Sequence, residues 1–274
     1  MNLLLSPQQL QELSTQQPIA LLCSQMAPVG SAIQSLPREF IPDSVIFDID
    51  DCSCKSSAFP HTLLSADKFQ YKAQALGINI ESTIVVYDQL GIYSSARVWF
   101  NFHLMGAKNI LLLNGGLPYW KQNQFATSTV FKNTTIGDFI ARPDISMLAT
   151  QQDVLSAIDS GKHKIIDVRS SGRFHATEPE PRKGLRGGHI PSSINIPFNQ
   201  FLDGQVYKSI EDLKLLFEQH HCDPDQQLIF SCGSGVTASI GYLAAKLCGY
   251  NNIKLYDGSW SEWGAIESLP INTE

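Results

Sequence analysis

Short apolar runs alternate with helix-spaced stretches along the chain, and one such series occurs twice. Segment 83–120 passes from the apolar run Thr83 to Tyr87 through a short loop containing Gly and Ser. A helix-like stretch, a second apolar run and a Gly/Trp turn follow. Segment 227–263 repeats that order, and Trp263 stands 143 residues after Trp120. A weaker echo sets Phe40-Ile41-Pro42-Asp43-Ser44 against His189-Ile190-Pro191-Ser192-Ser193. β-Branched runs each followed by a helical segment are what a parallel sheet covered by helices requires. Two α/β domains are therefore predicted, residues 1–135 and 146–274, each a mainly parallel sheet flanked by helices. Between them, Thr-Ser-Thr, Asn-Thr-Thr and Arg142-Pro143 in weakly periodic surroundings mark residues 126–145 as the expected linker. Common α/β grammar would also produce such an echo.

With 274 residues, 43% of them apolar and 17% charged, the chain is globular in composition and long enough for two domains. A formal charge of −6 supplies no general field to attract nucleic acid or an anionic membrane, so neither is an expected partner. An anionic substrate would have to be met by a local group of arginines and backbone N–H groups. The six cysteines show no paired CxxC spacing, and Cys52-x-Cys54 is too close for an ordinary tetrahedral pair, so no metal is expected. The start, MNLLLSPQQL, lacks a basic region, and no run approaches the roughly 18 apolar residues of a membrane helix. A reducing cytoplasm is the expected setting, where a reactive thiol survives.

Chemistry enters at the second copy. Leu228-Ile229-Phe230 reads as a buried strand and Val236 to Leu247 has helical spacing, with Cys232-Gly233-Ser234-Gly235-Val236-Thr237 between them. Cys232 is thus expected at the carboxyl end of a strand, leading into a helix. The glycines let the backbone turn so that N–H groups of Gly233, Ser234, Gly235, Val236 and Thr237 converge on the sulfur. Such donors favour thiolate over thiol and would equally stabilise a persulfide. One cysteine then suffices for a two-step sulfur transfer without metal or organic cofactor. A small buried hydrophobic cysteine in a tight turn is the plainer alternative. A cysteine phosphatase or arsenate reductase would carry Arg after five intervening residues, and Ala238 stands there.

Upstream, Ile165-Ile166-Asp167-Val168-Arg169 reads as a strand, followed by a long Pro/Gly-rich charged loop through His189-Ile190-Pro191. Arg173 and Arg182 are the candidate carboxylate clamps, since a planar guanidinium meets a carboxylate with two hydrogen bonds. Surface or structural ion pairing is the competing role for both. Arg169 and Arg186 are weaker substrate candidates, Asp167 a candidate loop anchor, and His189 reads as a hydrogen-bonded support.

Over roughly residues 38–267 the chain resembles the tandem-rhodanese family. The resemblance rests on Cys232 to Ala238, on Pro179-Glu180-Pro181-Arg182 and on Tyr256-Asp257-Gly258-Ser259-Trp260-Ser261-Glu262-Trp263-Gly264. In the first half it rests on Phe47-Asp48-Ile49-Asp50, Pro60-His61, Arg97-Val98-Trp99 and Gly115-Gly116-Leu117-Pro118-x-Trp120. It implies two rhodanese-like domains, the first catalytically silent with its counterpart of the cysteine near Asp88, and substrate entering a cleft between them. Gly233 and Ser234, where thiosulfate-preferring relatives usually have Arg and Lys, imply 3-mercaptopyruvate as donor, with pyruvate released. The implied acceptors are a small thiol, thioredoxin or cyanide. Arg173 and Arg182 match the family's carboxylate arginines, and Asp50, His61 and Ser234 match an Asp–His–Ser relay. The segment around Trp260 is expected to support the active loop. Departures gather in the first half: Cys54 and Asn114 replace acidic residues, and the HIP-type turn becomes Phe40 to Ser44. The alternatives are a thiosulfate:cyanide sulfurtransferase and a non-catalytic persulfide-binding or interaction module.

Overall fold

A computed structural model of the protein describes residues 3–28, 31, 36–161 and 163–274. The chain forms two compact units. The first comprises Met1–Cys54, Leu63–Asp144 and Gly204–Tyr207; the second comprises Lys55–Thr62, Ile145–Asp203 and Lys208–Glu274.

In the first unit the elements are β1 (Leu4–Leu5), α1 (Pro7–Gln16), β2 (Ile19–Gln25), β3 (Val45–Asp48), α2 (Ala66–Ala75), β4 (Thr83–Asp88), α3 (Ser95–Leu104), β5 (Asn109–Leu113) and α4 (Gly116–Gln122). Its strands pair in the order β1-β5-β4-β2-β3, all parallel. Residues 84–88 are all buried, as expected of a strand covered on both faces. Tyr87, Leu113, Leu117 and Trp120 form one core with Leu10, Leu21 and Ile41. Ser6 opens α1 with a capping box closed by Gln9, and Pro7 occupies the first turn. The stretch read as a linker lies along this unit: Lys132, Gly137 and Phe139 donate backbone N–H groups to Ser44, Gln74 and Ile78. Phe139 is buried there, its ring edge-on to Phe69 and Phe102, so apolar packing fixes a segment whose composition suggested a free connection.

The second unit contains β6 (Leu148–Ala149), α5 (Gln151–Ser160), β7 (His163–Asp167), α6 (Ser171–Phe174), β8 (Ile194–Asn195) and β9 (Leu202–Asp203). After β10 (Val206–Tyr207), which belongs to the first unit, come α7 (Ile210–Gln219), β11 (Gln227–Ser231), α8 (Ala238–Leu247), β12 (Ile253–Tyr256) and α9 (Ser259–Trp263). Its parallel sheet runs β6-β12-β11-β7-β8, the same order as in the first unit. Each unit is thus a parallel sheet with helices, as the repeated pattern predicts. The central helix α8 is built of small residues for a reason: a Cβ at Gly241 would come within 2.7 Å of the Phe230 ring. The helix starts at Ala238, two residues after the predicted Val236, because the preceding residues are used to make the loop.

Candidate active site

Cys232 directly follows β11, at the carboxyl end of the sheet, and is 1% exposed. The segment after β12 holds its loop in place. The Cys232 N–H donates to Ser259 Oγ at 3.1 Å, and that hydroxyl donates to the Tyr256 carbonyl at 2.8 Å. Trp260 N–H donates to the Cys232 carbonyl at 2.9 Å, while the N–H and Oγ of Ser261 both donate to the Gly233 carbonyl. Ser259 has φ +49°, a strained left-handed backbone that turns these donors toward the loop. Gly235 adopts φ +77°, and its carbonyl accepts from Ser239 Oγ in α8. The Trp260 segment thus has the supporting role expected from the sequence.

The register of the two sheets gives Cys232 a counterpart. Val86 pairs with Leu112 and Phe230 with Leu255, and these partners stand equally far before Trp120 and Trp263. Two residues beyond Val86 and Phe230 lie Asp88 and Cys232. The buried Asp88 carboxylate accepts from the N–H groups of Leu90, Tyr93, Ser94 and Ser95 and from Ser95 Oγ, all between 2.8 and 3.0 Å. A loop between strand and helix at this place in the fold therefore gathers backbone donors around an anion, and in the first unit that anion is the chain's own.

Both candidate clamps reach the loop. A Cβ built on Gly233 would lie 3.0 Å from Arg173 Nη2 and 3.6 Å from Arg182 Nη1, so the two guanidinium groups meet at the residue following Cys232. Arg173, on the short helix α6, is oriented by Glu180: its Nε donates to both carboxylate oxygens at 3.1 and 3.2 Å, and Nη2 donates to Oε2 at 2.6 Å. Glu180 also accepts from Arg169 Nη1 at 2.7 Å. Arg169 is itself buried, bound to Asp167, to the Gly188 carbonyl and to the face of Trp260 at 4.2 Å. Burial alone would lower the pKa of Arg169, but Asp167 and Glu180 raise it, so this guanidinium is a permanent charge inside the scaffold.

His61, in the stretch 55–62 that belongs to the second unit, has φ +59° and places Nδ1 2.8 Å from Ser234 Oγ. The structure thus brings together Cys232, Ser234, His61, Arg173 and Arg182 along with Gly233, Gly235, Val236 and Thr237. Asp50 lies in the first unit, exposed, in the turn after β3, where its carbonyl accepts from the Ser53 N–H. Arg186 donates to five carbonyls between Trp263 and Leu269, which makes it a brace for the chain end. His189 is held by the Phe174 carbonyl at 2.9 Å and stacks on the Phe174 ring.

Sequence reasoning missed the individual parts played by Ser259, Ser261 and Glu180. The signal was present in the Gly258-Ser259-Trp260-Ser261 turn and in Pro179-Glu180-Pro181-Arg182, but only the folded chain assigns the donors. Burial pushes the Cys23 thiol up to about 12 and those of Cys222 and Cys248 up to about 11, unlike a thiolate nucleophile. Among the described residues, no group of three or more His, Cys, Asp or Glu could hold a metal ion, and no helix is long and apolar enough to cross a membrane.

The rhodanese-like domain family matches the chain twice, over residues 37–123 and 150–266. The chain belongs to that family as a tandem-domain sulfurtransferase. Within it the resemblance is to the 3-mercaptopyruvate sulfurtransferases. The rat enzyme is 40% identical over 233 residues, covering 82% of this chain and 78% of its own. The Escherichia coli K12 enzyme is 34% identical over 257 residues, with 92% of each covered. The crystal structure of SseA from Escherichia coli, described as a 3-mercaptopyruvate sulfotransferase, superposes with a TM-score of 0.86 at 30% identity, covering 96% of this chain and all of the other.

Proposed function

We propose that this protein works as a 3-mercaptopyruvate sulfurtransferase with Cys232 as the sulfur carrier. In the first half-reaction the Cys232 thiolate attacks the donor's sulfur. The new S–S bond forms as the bond from sulfur to C3 breaks, and its electron pair passes to pyruvate enolate. Ser234 Oγ delivers a proton to that carbon and His61, whose Nδ1 lies 2.8 Å from that hydroxyl, resupplies it. Cys232 is left as a persulfide, stabilised by the N–H groups from Gly233 to Thr237. In the second half-reaction a small thiol, thioredoxin or cyanide attacks the outer sulfur and restores the thiolate.

The observation that carries this reading is the meeting of Arg173 and Arg182 at Gly233, beside the reactive sulfur, where a donor carboxylate can be held bidentately. The Asp88 nest supports the persulfide step, because it is the same loop position with an anion in place. Burial of Cys232 at the floor of its loop fits a carrier whose added outer sulfur, and not Sγ, meets the acceptor. On this reading the first unit carries no sulfur, and the enzyme works in a reducing compartment such as the cytoplasm.

The test is single-turnover loading with 3-mercaptopyruvate and thiosulfate in parallel, following pyruvate or sulfite and intact protein mass. Pyruvate release with one sulfur added, absent in Cys232→Ser, is the expected result. Faster loading from thiosulfate would keep the carrier and overturn the donor, making the protein a thiosulfate:cyanide sulfurtransferase. No loading from either donor would leave a binding module.

A further inference from the structure

Resting on the sulfur-carrier reading above, we infer that Ser261 is a positioning residue for the reaction, which locks the Gly233–Ser234 peptide with its N–H turned into the reactive loop. The peptide groups of this loop are sorted by direction. The carbonyls of Cys232, Gly233, Gly235, Val236 and Thr237 all accept hydrogen bonds, from Trp260, Ser261, Ser239 and Ile240. The N–H groups of Gly233, Ser234, Val236 and Thr237 have no acceptor among the described residues. In a trans peptide the N–H points opposite to the carbonyl, so a donor that pins a carbonyl on the outside of the loop aims the next residue's N–H to the inside. The first unit shows such a cradle filled, with the N–H groups of Leu90, Tyr93, Ser94 and Ser95 on Asp88, at the place of Cys232.

The Gly233 carbonyl takes two donors from one buried residue, the Ser261 N–H at 2.9 Å and its Oγ at 2.6 Å. The reason lies in the glycine. Turning this peptide over changes ψ of Gly233 and φ of Ser234, and a residue without Cβ opposes that rotation least. The flip would put a carbonyl where a persulfide or enolate anion needs a donor. The silent copy lacks the lock. Aligning Trp120 with Trp263 sets Gly116 against Ser259, with φ of +52° and +49°, and Pro118 against Ser261. Pro118 has neither an N–H nor a hydroxyl to give. The fold therefore forms without this pair of donors, and the copy that has them is the one with the cysteine.

The experiment compares wild type, Ser261→Ala and Ser261→Thr by single-turnover sulfur loading from 3-mercaptopyruvate, steady-state KM and melting temperature. Ser261→Ala leaves the backbone N–H on the Gly233 carbonyl, so its melting temperature should stay within about 2 °C of wild type. Its loading rate constant is expected to fall about tenfold with KM within about twofold, because the peptide faces the reacting anion and the arginine clamps keep their places. Ser261→Thr keeps both donors and should load within about threefold of wild type. Three results would overturn the inference while leaving the sulfurtransferase reading intact: Ser261→Ala loading at the wild-type rate, a loss confined to KM, or slowing accompanied by a melting temperature lowered by more than about 5 °C, which marks a merely structural role. A folded Ser261→Thr as slow as Ser261→Ala would overturn it too. Wild-type protein that does not load from 3-mercaptopyruvate overturns the sulfurtransferase reading instead.

Discussion

The backbone N–H of Cys232 donates to the side chain of Ser259, 27 residues away in sequence, and this bond ties the reactive loop to the turn after β12. Both groups are buried, so removing the hydroxyl strands a donor with no water to replace it. Ser259→Ala is expected to cost about 1–3 kcal/mol in unfolding free energy by denaturant titration. Sulfur loading should also slow by about tenfold as the loop loses its register. A variant as stable and as fast as wild type would show that the bond does not hold the loop.

Ser234 and His61 are expected to act as one unit because 2.8 Å separates Oγ from Nδ1. Ser234→Ala and His61→Gln should each slow pyruvate release in a single turnover by about 10²-fold. The double variant should be little worse than the slower single, since both remove the same proton path. Multiplying losses would separate the two residues.

Gly233→Ala tests the clamp from the other side. The added Cβ would approach the far end of a flexible arginine, so the fold should lose less than about 1 kcal/mol. The displacement falls on Arg173, and KM for 3-mercaptopyruvate should rise about tenfold with kcat nearly unchanged. Steady-state kinetics on the purified variant, with its melting temperature, decide this.

Stability should fall on acidification below neutral pH. Burial, opposed by the Phe174 carbonyl, lowers the pKa of His189 below its ordinary 6.5, and burial also lowers that of His220. For a base depressed in the folded state, the unfolded chain takes up protons first. The contribution is therefore complete above 6.5 and is lost progressively as pH falls through the window beneath it. Melting temperatures from pH 7.5 to 5.5 should decline, less steeply in His189→Gln.

Much of the site was legible because its parts are local. Cys232, its glycines and the flanking strand and helix are contiguous, and hydrophobic periodicity alone positions the loop at a strand end. Arg173 and Arg182 stood out by residue type, and the second half's Trp260 segment by its likeness to the first. The stretch 126–144 was harder to read: its polar composition conceals Phe139, whose burial depends on rings contributed by α2 and by α3.

By itself, then, the sequence determined the paired α/β architecture, the candidate nucleophile and the two candidate clamps, since apolar spacing, glycine freedom and guanidinium chemistry act within a few residues. Only the tertiary structure decided that Ser259 and Ser261 grip the loop, that Glu180 faces Arg173 with a buried Arg169 behind it, and that Asp88 fills the cradle of the first copy. Those relationships depend on which parallel strands lie side by side and on what is buried where they end. Desolvation makes each polar group there find a specific partner, often from a distant part of the chain.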